Sequence, residues 1–214
     1  MSRIEDNNTI SKADVKRTYD FYAPLYDFVF GAMFKPGRRE LASEIARLSR
    51  TPSRLLEVGV GTGLTLHLYP QETALTGVDI SDDMLARARM RAALLPGRSI
   101  ELLCIDGEAL PFPDGHFDCV ALPYVLSVTS SPEKLVREVR RVCAPHGHIF
   151  VLNHFSGSRF WGIFERLVAP FAARIGFRSA FMFDENILRY DWQVLSVRPV
   201  NLLGLSRLVR LRNR

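Results

Sequence analysis

Three glycines at alternate positions follow a short apolar run that stops at Glu57. The stretch 55–64 reads LLEVGVGTGL, with the glycines at Gly59, Gly61 and Gly63. Glycine adopts positive φ at little cost and leaves its backbone N–H accessible, so such a turn can approach the polar part of a ligand closely. A turn that binds no ligand would explain one or two of these glycines but not their whole register. The spacing therefore predicts a ligand-binding turn between a strand and a helix.

An acid stands at the end of the next apolar segment, in the sequence TGVDI at 76–80. At the end of the second strand of an alternating strand and helix fold, a carboxylate such as that of Asp79 can hold the two hydroxyls of a ribose. The glycines do not complete the G-x-G-x-x-G pattern of dinucleotide-binding folds, because Leu64 occupies the position of its last glycine. The observed pattern is E-x-G-x-G-x-G, followed at the end of the next strand by an acidic residue that could bind a ribose.

A third acidic segment follows the third predicted strand. Residues 104–112 read CIDGEALPF, which places Asp106, Gly107 and Glu108 directly after that strand. Alone, an acid at the end of a strand is usually a turn or cap residue. In company with the glycine turn and Asp79, it indicates an adenine pocket.

Short apolar runs and helical patterns alternate around these residues. Strands are predicted at 54–58, 74–79, 100–105, 117–122 and 148–153. Helices are predicted at 11–34, 36–48, 64–68, 81–93 and 132–143. Ser81 is the expected N-cap of one helix, and another carries Leu135, Val136, Val139 and Val142 on a single face. This alternation predicts a parallel sheet with helices on both faces and ligands at the carboxyl ends of its strands.

Composition narrows the classes of function. The 214 residues are 47% apolar and 24% charged, as in an ordinary globular protein. No run approaches the ~18 apolar residues of a membrane span, and the start is too polar for a secretory signal, so we expect a cytoplasmic protein. Three widely spaced cysteines predict neither disulfides nor a metal site. The net charge of +5 favours anionic partners: nucleic acid, phospholipid head groups or a phosphorylated metabolite.

The central part of the chain resembles the class I S-adenosylmethionine-dependent methyltransferases. The matching stretches, in the order and spacing of that family, are LLEVGVGTGL at 55–64, GVDIS at 77–81, IDGEALPFPDGHFD at 105–118 and VCAPHGHIFVLNH at 142–154. The resemblance implies an α/β fold with a Rossmann-like, seven-stranded, mostly parallel sheet, an antiparallel last strand and helices on both faces. Suitable last strands are 194–200 and 205–211, joined near Gly204. It also implies S-adenosylmethionine as the cofactor and S-adenosylhomocysteine as the product.

The same resemblance implies which residues bind the cofactor. Glu57 and the backbone of Gly59 and Gly61 would hold its methionine end, Asp79 would hold the ribose, and Tyr26 would contact the carboxylate. The full expected set is Tyr26, Glu57, Gly59, Gly61, Gly63, Asp79, Ile80, Met84, Asp106, Gly107, Glu108 and Pro123. A sulfonium methyl group is transferred by in-line displacement, so the protein needs mainly to position the partners and exclude water.

The flanking segments suggest what the acceptor is. We expect one domain, with a lid at 1–35, a core at 36–154, an insert at 155–192 and a hairpin at 193–214. The lid holds three tyrosines and three phenylalanines in YDFYAPLYDFVF, which either pack over the sheet or bind an amine, because ring faces attract ammonium groups by ~0.5–2 kcal/mol. The insert interleaves arginines with aromatic residues, which fits a helix on an anionic membrane or a buried helix with snorkelling arginines.

The hairpin segment is basic. From 192 to 214 there are five arginines and no acids, which indicates either a solvated sheet edge or contact with a membrane. These flanks resemble bacterial phosphatidylethanolamine N-methyltransferases, which are similar in turn to the ubiquinone/menaquinone C-methyltransferases. The first resemblance implies successive methylation of phosphatidylethanolamine, through mono- and dimethyl forms, to phosphatidylcholine. We expect a monomer bound peripherally to the inner face of an anionic cell membrane.

Two other functions stay open at this stage. One is methylation of a quinone ring carbon, and the other is a non-catalytic protein that binds S-adenosylmethionine and docks on membranes. No nucleic acid partner is expected, because no dedicated basic module is visible. Pro123 and Tyr124 would line the path to the methyl group in each enzyme.

An ammonium group has no lone pair, so the lipid amine must lose a proton before each transfer. His154, just beyond the fifth predicted strand, is the expected base, although it could instead bind a phosphate or cap a loop. Tyr19 and Tyr22 are expected to hold the amine. The candidates for the lipid phosphate are Arg159, Arg178 and Arg189.

Overall fold

Seven strands form a single sheet in the computed structural model, which describes residues 34–48, 50–154, 189–190, 192–201 and 204–214. The strands are β1 Arg54–Val58, β2 Ala74–Asp79, β3 Ile100–Cys104, β4 Phe117–Pro123, β5 Cys143–Asn153, β6 Gln193–Val200 and β7 Ser206–Arg212. Their order is β3-β2-β1-β4-β5-β7-β6. The first five strands run parallel, whereas β7 is antiparallel to both β5 and β6. The fold class expected from the sequence is therefore confirmed.

Helices cover both faces of the sheet. They are α1 Lys35–Ala46, α2 Asp82–Ala92 and α3 Pro132–Val142. The side chains that α3 buries are the four predicted to share a face, Leu135, Val136, Val139 and Val142. On the other face, Leu41 and Ile45 of α1 pack in one cluster with Leu85 of α2 and apolar residues of the central strands. Full burial of such a side chain contributes about 1.5–3 kcal/mol, so this packing fixes the helices on the sheet.

Two predicted elements differ from the observed ones. The helix expected at 64–68 is a single 3₁₀ turn, Leu66–Leu68. Tyr69 is extended because it precedes a proline, and the ring of that proline disfavours helical backbone at the residue before it. The fifth strand begins at Cys143 and not at 148, since Cys143 follows directly on α3 and pairs with Phe117. The register then shifts before His148 pairs with Cys119.

The sheet edge formed by β6 is fastened to α1. Arg198 of β6 donates to Glu44 at 2.6 Å and to Glu40 at 3.2 Å. The Glu44 side chain is only 7% exposed, so this pair is better shielded than a surface ion pair. At least this arginine of the basic hairpin therefore serves as an internal contact.

The loop after β3 is held by α3. Arg141 donates to the backbone oxygens of Leu110 and Phe112, each at 2.7 Å, and forms an ion pair with Glu138 at 2.8 Å. Glu138 in turn accepts a hydrogen bond from the Leu110 N–H. These contacts fix the loop that carries the predicted adenine-binding residues. Of the helices in the ranges given above, none has the length and apolar content needed to cross a bilayer.

Candidate active site

A cavity opens at the carboxyl ends of β1, β2 and β4 and beside the loop after β3. The predicted residues that line it are Glu57, Gly59, Gly61, Asp79, Ile80, Met84, Asp106, Gly107, Glu108 and Pro123. It lies at the edge of the sheet where parallel α/β folds bind their ligands. The sequence thus predicted ten of the twenty-five described lining residues as cofactor contacts, and Tyr124 as part of the path to the methyl group. Arg38, Thr65 and Tyr124 line it as well.

The three glycines of the turn have different neighbours. All have positive φ, 75° at Gly59, 54° at Gly61 and 80° at Gly63. Only at Gly61 would an added Cβ meet open space; at Gly59 it would lie 2.9 Å from the Val125 side chain. Gly63 is not among the described residues that line the cavity, and a Cβ there would lie 2.7 Å from the Leu66 side chain. The described neighbours of Gly63 explain it as a packing residue, and its role as a ligand contact stays a prediction.

The carboxylate of Glu57 is enclosed at one end of the cavity. It is 1% exposed, and the Thr65 hydroxyl lies 2.7 Å from both of its oxygens. Burial raises the pKa of Glu57 to about 7, although the Thr65 hydroxyl and the charge of Arg38 act in the opposite direction. Arg38, from α1, is itself 6% exposed. A buried acid and a buried guanidinium at the same end complement the ammonium and carboxylate of an amino acid.

Asp79 connects the glycine turn to α2. Its Oδ2 accepts a hydrogen bond from the Gly61 N–H at 2.8 Å, and its Oδ1 accepts one from the Ser81 N–H at 3.0 Å. Ser81 caps α2 as predicted, because its hydroxyl accepts from the Met84 N–H. A carboxylate oxygen can accept more than one hydrogen bond, so an acid in this position also suits the two hydroxyls of a ribose.

Glu108 connects two loops across the cavity. Its Oε1 accepts hydrogen bonds from the Thr129 hydroxyl at 2.8 Å, the Ser130 hydroxyl at 2.5 Å and the Ser131 N–H at 2.7 Å. Its own N–H donates to Asp106 Oδ1 at 2.9 Å. The loop after β3 is thereby joined to the loop after β4. Glu108 therefore lines the cavity and also links the loop after β3 to the loop after β4, as a brace between them.

Tyr124 forms the wall directly after β4. Its φ of 62° is unusual for a residue with a large side chain, and such backbone is concentrated at functional sites. The centroid of the Tyr124 ring lies 4.9 Å from that of Phe34 and 5.0 Å from that of His154. The Arg38 guanidinium lies 5.6 Å from the centroid of the same Tyr124 ring. Its hydroxyl accepts a hydrogen bond from Asn201.

His154 lies behind Tyr124 and is not among the described residues that line the cavity. It is 6% exposed, and its Nδ1 lies 3.0 Å from the Ser206 hydroxyl. Burial lowers the pKa of His154 to about 4, so the ring is neutral at physiological pH. Its described contacts include a ring that packs against Tyr124, and the expectation that His154 meets the acceptor stays a prediction.

Among the other predicted residues, Arg189 is not in the described lining of the cavity. Arg189 donates to Glu133 at 2.7 Å and stacks on Tyr190, so its guanidinium contacts an acid of α3. Its assignment to a lipid phosphate stays a prediction. Outside the described residues lie Tyr19, Tyr22, Tyr26, Arg159 and Arg178.

Several residues of the site have only weak signals in the sequence. Arg38 follows a Pro-Gly pair at a helix start, where Gly37 indicates a close approach of backbone to another group. Asn201 lies in a hairpin turn, where asparagine is common for conformational reasons alone. Their partners come from distant parts of the chain, so only the folded structure identifies them.

The donor set fits S-adenosylmethionine. Glu57 and Arg38 suit its amino acid group, and Asp79 suits its ribose. Apolar side chains, including Ile80 and Met84, line the part of the cavity beside Asp79. The open space at Gly61 provides room beside the turn that no side chain of the described residues fills.

Comparison with known proteins agrees with this geometry. Residues 56–151 match a family model described as a methyltransferase domain. A Cereibacter sphaeroides protein named phosphatidylethanolamine N-methyltransferase is 36% identical over 202 residues, which cover 94% of this chain and 98% of that protein. A ubiquinone/menaquinone biosynthesis C-methyltransferase from Nitrosospira multiformis is 28% identical over 203 residues, covering 90% and 81%. A Thermotoga maritima methyltransferase structure superposes with a TM-score of 0.70 at 18% identity, covering 92% of this chain and 99% of that one.

The relative that is 36% identical over nearly the whole of both chains and the matched family model are both named as methyltransferases. The cofactor that the family uses is the one that the cavity fits. The chain belongs to the class I S-adenosylmethionine-dependent methyltransferases.

Proposed function

We propose that this enzyme methylates the amine of phosphatidylethanolamine in successive steps, through mono- and dimethyl forms, to phosphatidylcholine. The observation that carries the proposal is the extent of its similarity to the Cereibacter sphaeroides protein, which runs through nearly the whole of both chains. That match includes the flanks of the core, where acceptors are distinguished. The Nitrosospira multiformis relative is less similar and covers less of its own length.

Within this proposal, the cavity residues hold the cofactor in a defined direction. Glu57 takes the ammonium and Arg38 the carboxylate of its amino acid end, while Asp79 takes the ribose hydroxyls. Met84 and Asp106 lie at the adenine end. When bound, the cofactor supplies a methyl group on a positively charged sulfur, which a neutral amine can attack.

The acceptor amine must reach this methyl group without its extra proton. Burial against an apolar wall lowers the pKa of an amine because it disfavours the charged form. Tyr124 provides such a wall, with its ring packed on His154 and its hydroxyl as a polar contact. Tyr19 and Tyr22 remain proposed amine contacts, and Arg159 and Arg178 proposed phosphate contacts.

A cationic surface adjoins the cavity and supports docking on an anionic membrane. We name it the basic surface; it consists of Lys35, Arg39, His67, Arg91 and Arg98. Burial and the charges of the other four lower the pKa of His67, so the five groups lie close together. Arg91 donates to the backbone oxygen of Thr62, and Thr62 lines the cavity. A membrane held here would meet the protein beside the site, with about 1 kcal/mol from each cation near the lipid head groups.

The direct test uses purified protein, radiolabelled S-adenosylmethionine and vesicles of phosphatidylethanolamine and phosphatidylglycerol, followed by separation of the lipids. We expect label in the mono-, di- and trimethylated lipids. Intact cofactor binding with no labelled lipid would refute the proposal. Label in a prenylated hydroquinone, offered in parallel, would identify the enzyme as a C-methyltransferase.

A further inference from the structure

A polar network lies behind the cavity wall, where α1 meets the turn between β6 and β7. Its centre is the side-chain amide of Asn201. The oxygen of this amide accepts a hydrogen bond from the Gly37 N–H at 2.7 Å. Its nitrogen donates to the Tyr124 hydroxyl at 3.0 Å and to the Ser206 hydroxyl at 2.8 Å. One side chain thus joins a helix, a hairpin and the wall of the active site.

The partners fix the orientation of this amide. The backbone N–H of Gly37 can only donate, so the Asn201 oxygen must face it. The amide nitrogen therefore faces Tyr124 and Ser206 and donates to both hydroxyls. An aspartate at this position would keep all three contacts, because both hydroxyls can donate to a carboxylate oxygen in place of accepting from an amide.

The network holds Tyr124 in a place that it would not adopt freely. A left-handed backbone at a tyrosine costs about 1–3 kcal/mol and persists only where surrounding contacts determine it. Gly37 lets α1 approach: a Cβ at that position would lie 2.7 Å from the Tyr124 hydroxyl oxygen and 2.8 Å from the Asn201 amide oxygen. Asn201 is left-handed as well, with φ of 65°.

We propose that Asn201 is a positioning residue that holds Tyr124 at the cavity wall for the methyl acceptor. This inference rests on the proposed function, in which an amine enters beside Tyr124. Asn201 itself lies outside the described lining of the cavity and acts through the Tyr124 hydroxyl. Loss of the amide removes its hydrogen bond to the phenol and leaves Glu57 and Asp79 in place.

The test compares Asn201→Gly, Asn201→Asp, Tyr124→Phe and the double variant Asn201→Gly with Tyr124→Phe. Glycine keeps the left-handed turn and removes the hydrogen bonds, so we expect kcat/KM for phosphatidylethanolamine vesicles to fall about tenfold or more. The dissociation constant of S-adenosylhomocysteine, measured by calorimetry, stays within about twofold. Asn201→Asp keeps the contacts and retains most of the activity. The double variant is no worse than Tyr124→Phe alone, because both changes remove the same contact.

Asn213→Gly is the matched control for lost stability. Asn213 is buried in the same half of the chain and donates to the backbone oxygens of Arg140 and Cys143. We expect this variant to melt at a lower temperature with unchanged kcat/KM per folded molecule. The proposal is overturned if Asn201→Gly behaves like this control, or if its loss adds in full to that of Tyr124→Phe. Should the wild type methylate only a prenylated hydroquinone, the proposed function fails, and the same series with that acceptor still decides the role of Asn201.

Discussion

The hydroxyl oxygen of Thr65 lies 2.7 Å from both carboxylate oxygens of Glu57, and both side chains are buried. Burial nevertheless raises the pKa of Glu57 to about 7, so the acid is half protonated near neutral pH. Because an ammonium group binds the ionised form, we expect cofactor affinity to fall as the pH drops below about 7. Calorimetric titration between pH 5.5 and 8.5 measures this dependence. A flat profile would contradict the assignment of Glu57 to the cofactor ammonium.

The same pKa sets how the stability of the cofactor-free protein varies with pH. The folded pKa of about 7 exceeds the ordinary value of 4.5, so the folded protein binds the proton more tightly. The contribution of Glu57 to the free energy of unfolding is therefore fully present below pH 4.5. It declines as the pH rises to about 7 and is lost above that value. We expect Glu57→Gln to be more stable than the wild type at pH 8, with a smaller difference at pH 5. Urea unfolding at both values checks this, and weakened cofactor binding should accompany it.

Gly61 and Gly63 differ in what a methyl group would meet, so alanine at each position should have a different effect. At Gly61 the added Cβ meets open cavity, and the main cost to folding is the positive φ, about 1 kcal/mol. We expect Gly61→Ala to fold and to bind the cofactor at least about tenfold more weakly, since the methyl group occupies ligand space. Chemical denaturation and calorimetry measure the two effects separately.

Gly63→Ala should be destabilised further. Its Cβ would lie 2.7 Å from the Leu66 side chain and 3.1 Å from the Ala88 backbone, which forces α2 away from the turn. We expect the free energy of unfolding to fall by about 2–4 kcal/mol, the strain of φ and of overpacking together. A Gly63→Ala protein as stable as Gly61→Ala would show that this packing is not required.

Glu108 should act through its hydrogen bonds to the loop after β4. Glu108→Ala leaves the Ser131 N–H and the Thr129 hydroxyl without their acceptor, and each lost charged hydrogen bond costs about 1.5–3 kcal/mol. Glu108→Gln keeps the acceptor oxygen. We expect cofactor affinity to fall about tenfold in the alanine variant and about threefold or less in the glutamine variant. Equal losses in the two would point to the charge of Glu108 and not to its role as a brace.

The basic surface should govern binding to anionic vesicles. Lys35 and Arg39 are exposed residues of α1, and replacing both with alanine removes about 2 kcal/mol of attraction, or roughly thirtyfold in affinity. Co-sedimentation with phosphatidylglycerol vesicles at two salt concentrations measures this loss. The matched control is the double alanine variant of Lys134 and Arg137, which are exposed on α3 at the other face of the sheet. Equal losses in the two variants would show that net charge, and not this surface, determines binding.

The cofactor half of the site could be predicted from the sequence because its residues follow strands in a fixed order. Glu57 and Asp79 each lie at the carboxyl end of a strand, so their meeting follows from a parallel sheet alone. The acceptor half could not be predicted in the same way. Tyr124 is joined to Asn201 across 77 positions, through a hairpin whose pairing the local sequence does not reveal. His154 was predicted correctly to follow β5. Its ring packs against Tyr124, which follows a different strand, β4.

The glycine turn also shows what the sequence could and could not predict. Its spacing predicted a ligand, and Gly61 does border the cavity. Gly59 borders it too, but at Gly59 and Gly63 the side chains of Val125 and Leu66 occupy the space that an added side chain would take. The sequence alone does not show whether a glycine leaves room for a ligand or for a neighbouring side chain.

The position of β7 has a consequence for how the enzyme is made. The described residues that line the cavity all lie between Arg38 and Leu135, so a ribosome has already synthesised them when β5 emerges. β6 follows, and among the described strands it pairs with β7, so the contacts of Asn201 and Ser206 with Tyr124 and His154 form once that hairpin is complete. A nascent chain would thus synthesise the described cavity lining first and complete the support of Tyr124 last. Long-range pairing of this kind is slow, which makes insertion of β7 the expected late step of folding.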